Sequence, residues 1–125
     1  MTTTRITHAS PSGLWAHTPE RDWESDAQVP LDENGIPVCD DIAKQLILNE
    51  PGKSFNILMG GGRANFIPAD QNDPEEGKGN RKDGADLIKV WTDEKARQNV
   101  SHAFVWNRDQ LLALNDTPTD ILGTI

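Results

Sequence analysis

Hydrophobic and polar positions alternate along this chain with helical spacing in four short segments. The predicted helices cover residues 11–17, 40–48, 84–98 and 108–114. In the second of them, Ile42, Leu46 and Ile47 share one face and acidic residues occupy the first turn, as expected for an amphipathic helix. Asp83 and Asn107 precede the last two helices and are their predicted N-caps.

Continuous apolar runs lie between these helices and predict buried strands. The runs cover residues 54–59, 102–106 and 121–123, and the β-branched run 2–7 predicts a further strand end. Strands that alternate with helices in this order usually form a parallel sheet that helices cover. The pattern therefore predicts an α/β fold.

Two long polar segments, residues 18–38 and 63–82, show no periodicity and are predicted loops. A structureless loop of about twenty residues is usually functional or disordered. The glycine run 60–62 precedes the second loop, but no Gly-Lys-Ser/Thr follows it, and Asn65 stands where a dinucleotide fingerprint needs glycine. We interpret the run as a tight exit from a strand.

Composition narrows the classes of function. The chain has 125 residues, which suits one domain, and its net charge of −8 argues against a nucleic-acid partner, because phosphate backbones require clustered Lys and Arg. The sequence lacks an apolar run long enough to span a membrane. Met1 is not followed by an apolar leader, so the chain shows no targeting signal, and Cys39 is its only cysteine.

The first 23 residues concentrate hydroxyl, imidazole and guanidinium groups, which can bind metal ions and phosphate. The individual residues among them also have simpler, structural interpretations. Ser10 precedes Pro11 and is a predicted helix N-cap. Arg21 lies among acids at positions 20, 22 and 24, with which it could pair, and His8 could be an ordinary polar residue. On a strand, their two-residue spacing would point His8 and Ser10 to the same side.

Several motifs then occur together along the chain. They are Thr2-Thr3-Thr4-Arg5-Ile6-Thr7-His8-Ala9-Ser10-Pro11, Ala16-His17-Thr18, Arg21-Asp22-Trp23, Ser25-Asp26, Cys39-Asp40-Asp41-Ile42-Ala43, Met59-Gly60-Gly61-Gly62-Arg63 and Val105-Trp106-Asn107-Arg108. In this combination the chain resembles the alkaline phosphatases, and especially those of animals. The resemblance implies a three-layer sandwich with a mostly parallel sheet, of which residues 1–125 would be a single, incomplete domain.

The resemblance also implies roles for individual residues. Arg21 is similar in position to the arginine that clamps the substrate phosphate, and His8 to a histidine near the phosphate and the magnesium ion. Ser10 corresponds to a magnesium ligand. Glu75, in an acidic loop, resembles a ligand of a peripheral calcium ion. Cys39 matches a disulfide cysteine whose partner is absent from this chain.

For the parent enzyme, the resemblance implies hydrolysis of phosphate monoesters through a phosphoserine intermediate, with two zinc ions and one magnesium ion. The nucleophilic serine and the zinc ligands would lie outside this chain, so we expect the chain alone to have little or no hydrolase activity. The parent is expected to be a homodimeric glycoprotein at the cell surface, anchored by a lipid. Asn99 and Asn115 begin sequons that could carry the glycans.

Two other functions stay open from the sequence. The chain could be a non-catalytic, acidic extracellular module that binds calcium through the loop 63–82. It could also be a complete small cytosolic domain that shares the fold. A frame that continues into a nucleophilic serine and metal ligands would support the phosphatase, whereas clean stops at both ends would support one of the alternatives.

Overall fold

The computed structural model describes residues 1–75, 77–114 and 118–124. Its α-helices are α1 (Ala9–Ser12), α2 (Ile42–Leu48), α3 (Leu87–Arg97) and α4 (Arg108–Leu112). Its strands are β1 (Ile57–Gly60), β2 (Asn72–Asp73), β3 (Gly77–Lys78), β4 (His102–Val105) and β5 (Asp120–Thr124). Short 3-10 helices cover Asp26–Gln28, Gly52–Ser54 and Arg63–Phe66. Over these residues, no helix is both long and apolar enough to cross a membrane.

A three-stranded parallel sheet organises the fold, with the strand order β1-β5-β4. The N-terminal segment runs beside β1, where the Ile6 amide donates to the Gly61 carbonyl at 3.0 Å and the Gly61 amide donates to the Thr4 carbonyl at 2.9 Å. The segment that carries the motif residues 5–10 is therefore attached to the sheet at the carboxyl end of β1. The predicted α/β fold with a parallel sheet is confirmed.

The hydrophobic core lies between this sheet and helices α2 and α3. Its buried members are Ile6, Trp15, Ile42, Ala43, Leu46, Ile47, Phe66, Leu87, Trp91 and Leu122. The predicted apolar face of α2 is confirmed, because all three of its residues are buried. The Trp15 indole packs edge-on against Phe55 with ring centroids 6.1 Å apart, and its Nε1 donates to the Ile42 carbonyl at 3.3 Å.

A buried ion pair ties α3 to β5. Lys95 Nζ lies 2.6 Å from Asp120 Oδ2, and both side chains are less than a tenth exposed. Asn56 Nδ2 donates to the other oxygen of Asp120 at 2.7 Å. Each carboxylate oxygen of Asp120 therefore has a donor, as a buried charge requires.

The first helix differs from its prediction. It covers Ala9–Ser12 instead of residues 11–17, and His8, not Ser10, occupies the N-cap position. Pro11 is then the third residue of the helix, where a backbone amide has no intrahelical acceptor and a proline costs no hydrogen bond. The prediction that Ser10 caps the helix is wrong because a proline is tolerated at any position of a first turn.

The predicted cap of α3 is also wrong. The helix begins at Leu87, and Asp86 is its N-cap, with its side chain accepting from the Lys89 amide at 2.9 Å. Asp83 instead accepts from Arg81 Nη2 at 2.6 Å. For α4 the prediction is confirmed, because the Asn107 side chain accepts from the Gln110 amide at 2.8 Å.

The variant Asp86→Ala is expected to lower the free energy of unfolding by about 1 kcal/mol, because an amide of the first turn of α3 loses its acceptor. Asp93→Ala is the matched control, since Asp93 is exposed on the same helix and makes only a surface pair with Lys89, worth about 0.5 kcal/mol at most. Urea denaturation followed by circular dichroism measures both. Equal losses in the two variants would contradict the assignment of Asp86 as the cap.

Candidate functional site

The fold brings together two of the predicted site residues, His8 and Arg21. Arg21 Nη2 lies 3.3 Å from His8 Nε2. The Arg21 side chain is 62% exposed, and its nearest acidic contact is with Asp22 at 3.9 Å, between two exposed side chains. An ion pair between two exposed side chains contributes little to the free energy of unfolding and does little to fix the Arg21 side chain. The guanidinium is thus held beside the imidazole and open to solvent.

Glu24 is the charged centre of this cluster. Its carboxylate accepts from Arg5 Nε at 2.9 Å, from Arg5 Nη2 at 2.6 Å and from Thr7 Oγ1 at 2.6 Å. His8 Nδ1 lies 3.2 Å from Glu24 Oε1. Burial raises the pKa of Glu24, but the hydrogen bonds from Arg5, Thr7 and His8 outweigh it and lower the pKa to about 2. Glu24 is therefore a carboxylate at physiological pH.

Two asparagines extend the hydrogen bonds around Glu24 towards the 3-10 helix that follows β1. Asn65 Nδ2 donates to Glu24 Oε2 at 3.1 Å and lies 2.9 Å from Thr7 Oγ1, and Asn80 Nδ2 donates to Asn65 Oδ1 at 2.8 Å. Asn65 belongs to the buried 3-10 helix Arg63–Phe66. We call the set Arg5, Thr7, His8, Arg21, Glu24, Asn65 and Asn80 the Glu24 network.

The glycine run places this 3-10 helix against the N-terminal segment. Gly62 has a φ of 84°, in the left-handed region, and a Cβ there would lie 2.8 Å from Arg5 Cβ. A Cβ at Gly60 would lie 2.5 Å from Thr2 Cγ2. The run therefore lets two backbone segments approach closely at the end of β1, which agrees with the predicted tight strand exit.

Ser10, the predicted magnesium ligand, lies apart from the Glu24 network. It is exposed and lines an apolar cavity of about 330 Å³ with Ile6, Pro11, Leu14 and Trp15 among its neighbours. The strand alternation that would have aligned it with His8 is absent, because the chain turns into α1 at Ala9.

Glu75, the predicted calcium ligand, lies in a second cluster. Arg63 Nη2 donates to Glu75 Oε2 at 3.1 Å and to Asp73 Oδ1 at 2.6 Å, and Arg63 Nε binds the other oxygen of Asp73. The Arg63 guanidinium also lies over the Trp106 ring, 4.9 Å from its centroid. Asp73 is buried, whereas the Glu75 side chain is 52% exposed. The Arg63 guanidinium thus already neutralises both Asp73 and Glu75.

In the part of the chain that the structure describes, no group of three or more His, Cys, Asp or Glu side chains could hold a metal ion. Cys39 is free and partly buried, and burial together with Asp40 and Asp41 raises the pKa of its thiol. Asn99 is exposed and follows α3 with a φ of 56°. Asn115 lies outside the described residues.

Sequence reasoning missed Glu24, Asn65 and Arg63 as members of these clusters. Glu24 was visible only as one of several acids near Arg21, and its main partner Arg5 lies 19 residues away. Asn65 lies 58 residues from Thr7 along the chain. The available signal was a set of charged and amide residues beside a glycine run. Such a signal does not specify which side chains form pairs.

Known proteins are similar in sequence to nearly the whole of this chain. The profile of the alkaline phosphatase family matches residues 1–124. The membrane-bound alkaline phosphatase of Bombyx mori is 46% identical over 122 residues, covering 98% of this chain and 22% of that protein. The tissue-nonspecific isozyme of Gallus gallus is 43% identical over 129 residues, covering 98% of this chain and 24% of that protein.

A more distant relative, alkaline phosphatase 4 of Drosophila melanogaster, is 39% identical over 130 residues, with 98% of this chain and 22% of that protein covered. The chain thus spans between a fifth and a quarter of the length of these relatives. Because the family profile matches nearly every residue, the chain belongs to the alkaline phosphatase family.

Proposed function

We propose that this chain is the phosphate-clamping part of an alkaline phosphatase that hydrolyses phosphate monoesters. The observation that supports it most directly is the contact of 3.3 Å between the exposed Arg21 guanidinium and His8. A cation that is both held in place and open to solvent suits an anionic ligand that enters from outside. The family to which the chain belongs supplies the substrate class.

Arg21 would bind the ester through two parallel hydrogen bonds from its planar fork to two phosphate oxygens. The same bonds would stabilise the charge that these oxygens carry as the phosphoryl group transfers. His8 contacts Nη2 of the guanidinium and would fix its direction. Arg5 balances the charge of Glu24, so the carboxylate does not repel an incoming phosphate.

The metals of the proposed enzyme depend mainly on residues elsewhere. Ser10 could give one hydroxyl oxygen to a magnesium ion, which accepts such a ligand beside carboxylates and waters. When bound, zinc ions would activate the nucleophile and stabilise the leaving oxygen, but none of the zinc ligands is assigned to this chain. We therefore expect the isolated chain to turn over little or no aryl phosphate.

The peripheral roles are proposals of the same kind. Glu75 would contribute one carboxylate to a calcium ion, for which it would have to exchange its contact with Arg63. The parent would carry a glycan on the exposed Asn99 and would be a lipid-anchored homodimer at the cell surface. Of these features, the membrane location agrees with the Bombyx relative, which is a membrane-bound alkaline phosphatase.

A chimaera tests the proposed function. Residues 1–124 would replace the matching segment of the Bombyx enzyme, and hydrolysis of p-nitrophenyl phosphate would be measured. We expect the chimaera to be active and Arg21→Ala to lower kcat/KM by about 100- to 1000-fold, the usual loss on removing a group that stabilises transition-state charge.

Arg108→Ala is the control, because Arg108 is an exposed arginine on α4. We expect it to leave kcat/KM within about twofold of the parent chimaera, as for a surface substitution away from the site. A folded chimaera without activity, or full activity in the Arg21 variant, would refute the proposed role of this segment.

A further inference from the structure

Glu24 is a buried charged group that the proposed phosphate site does not use directly. We propose that Glu24 is a positioning residue that fixes the ring orientation and tautomer of His8 and, through His8, holds the Arg21 guanidinium in place for a phosphate anion. This inference rests on the proposed function, since it assigns a purpose to the contact between His8 and Arg21.

The Glu24 carboxylate is suited to this role because it is itself immobile. Its side chain is 7% exposed, and Arg5 binds it through two nitrogens, at 2.9 and 2.6 Å. Thr7 donates to it at 2.6 Å and Asn65 at 3.1 Å. Bidentate, charge-assisted bonds fix direction as well as distance. His8 Nδ1, at 3.2 Å, therefore meets an acceptor whose place is already determined.

The neighbours of His8 select one tautomer. A guanidinium nitrogen can only donate, so the contact of Arg21 Nη2 with Nε2 at 3.3 Å requires a lone pair on Nε2. The proton of the neutral ring is then on Nδ1, where Glu24 Oε1 is the acceptor. Arg5 Nη2 lies 3.0 Å from Nδ1, but its shorter bond, at 2.6 Å, is to the same Glu24 oxygen. A lone pair on Nδ1 would face the Glu24 carboxylate at 3.2 Å, an unfavourable contact between two acceptors, so the proton on Nδ1 is the better match. Both donors thus converge on Glu24.

Without the carboxylate, the same geometry would favour the other tautomer. Arg5 would be the remaining partner of Nδ1 and would donate to it. The ring proton would then move to Nε2 and point a donor at the Arg21 guanidinium, which has no acceptor to offer. Arg21 would lose its only contact with the ring and the order that this contact gives it.

The backbone around Arg21 is held independently of the Glu24 side chain. The Ile42 amide donates to the Trp23 carbonyl at 2.9 Å, and the Ala43 amide donates to the Glu24 carbonyl at 3.3 Å. These bonds attach residues 23 and 24 to the start of α2. A variant of the Glu24 side chain should therefore leave the segment in place and change only the orientation of the side chains.

The test uses the full 125-residue chain with ¹⁵N-labelled histidine, at about pH 9, where an imidazole is ordinarily neutral. Long-range ¹H–¹⁵N spectra report the tautomer of His8, and a titration with inorganic phosphate reports affinity. We expect the Nδ1–H tautomer in the wild type and the Nε2–H tautomer in Glu24→Ala. Phosphate affinity should fall about tenfold in that variant, the equivalent of one charge-assisted hydrogen bond.

Two further variants separate the possible failures. Glu20→Ala removes an exposed glutamate next to Arg21 and should leave tautomer and affinity unchanged. Arg21→Lys keeps the positive charge but removes the planar fork of two donors. If this variant binds phosphate as tightly as the wild type, the proposed function itself is contradicted. If affinity depends on Arg21 but Glu24→Ala changes neither readout, the positioning role alone is overturned.

The wild-type spectrum tests the positioning role of Glu24 even if Glu24→Ala does not fold. A wild-type His8 with its proton on Nε2 contradicts the assignment of Glu24 as the acceptor, whereas a proton on Nδ1 supports it. This test uses the wild type alone, so it holds even if the Glu24→Ala variant is unfolded and its His8 tautomer is not measurable.

Discussion

Replacing Arg81 by methionine is expected to lower the free energy of unfolding by about 3–5 kcal/mol, the usual cost of leaving a buried charge unpaired. The Arg81 side chain is fully buried. It donates to both oxygens of Asp41, at 3.0 and 2.9 Å, and to both oxygens of Asp83, at 3.1 and 2.6 Å. Burial opposes the charge, but these hydrogen bonds outweigh it and raise the pKa of Arg81.

Most of this loss of stability should come from the unpaired charge of Asp41. Asp41 is buried and also caps α2 by accepting from the Lys44 amide at 2.9 Å. Without Arg81, the Asp41 carboxylate would have no cationic side chain at hydrogen-bonding distance among the residues that the structure describes. The double variant Arg81→Met/Asp41→Asn should recover part of the loss, because asparagine still caps a helix but carries no charge.

Urea denaturation measures these differences, with Arg97→Met as the matched control. Arg97 is 73% exposed and pairs with Glu94 on the surface of α3, so its loss should cost about 0.5 kcal/mol or less. If Arg81→Met and Arg97→Met cost the same, Arg81 does not hold the loop 63–82 to α2 as described.

Acid should destabilise the chain by about 3 kcal/mol through Glu24 alone. The ordinary pKa of a glutamate is 4.5, and the Glu24 network lowers it to about 2 in the folded state. A folded-state pKa below the unfolded one means that the unfolded chain binds a proton first as the pH falls. The stabilisation is therefore complete above about pH 5 and is lost progressively between about pH 5 and pH 2.

Unfolding of the wild type and of Glu24→Gln should be compared across this range. The variant has no titrating carboxyl at the site, so its stability should depend less on pH by about the same 3 kcal/mol. Glu20→Gln, which removes an exposed carboxyl nearby, should keep the wild-type dependence. Parallel curves for the wild type and Glu24→Gln would show that Glu24 is not held as a carboxylate in the folded chain.

Local sequence was sufficient to predict most of the secondary structure. The apolar spacing of Ile42, Leu46 and Ile47 predicted α2, and all three are buried. The Asn107 cap of α4 was also predicted correctly. Such features depend on residues within about four positions of each other, because helix periodicity and capping are local interactions. The same reasoning failed where two aspartates competed, since Asp83 and Asp86 are equally good caps in isolation.

The loop 63–82 shows where local reasoning ends. Its polar composition predicted a structureless loop, but it contains a buried 3-10 helix and two short paired strands. Arg63 and Arg81 are both buried there, each neutralised by carboxylates. A buried arginine and a solvated one look alike in a sequence, because burial depends on partners that the fold supplies.

By itself, the sequence determined the α/β class of this chain, its main helices and strands, and the resemblance that identified its family. It also identified His8 and Arg21 as candidates, although it could not separate a phosphate clamp from a surface arginine paired with a nearby acid. Only the tertiary structure decided that Glu24 pairs with Arg5, 19 residues away, and that Asp41 pairs with Arg81, 40 residues away. Ionic and hydrogen bonds act over a few ångströms in space, and the chain reaches those distances only when the sheet and its helices have packed.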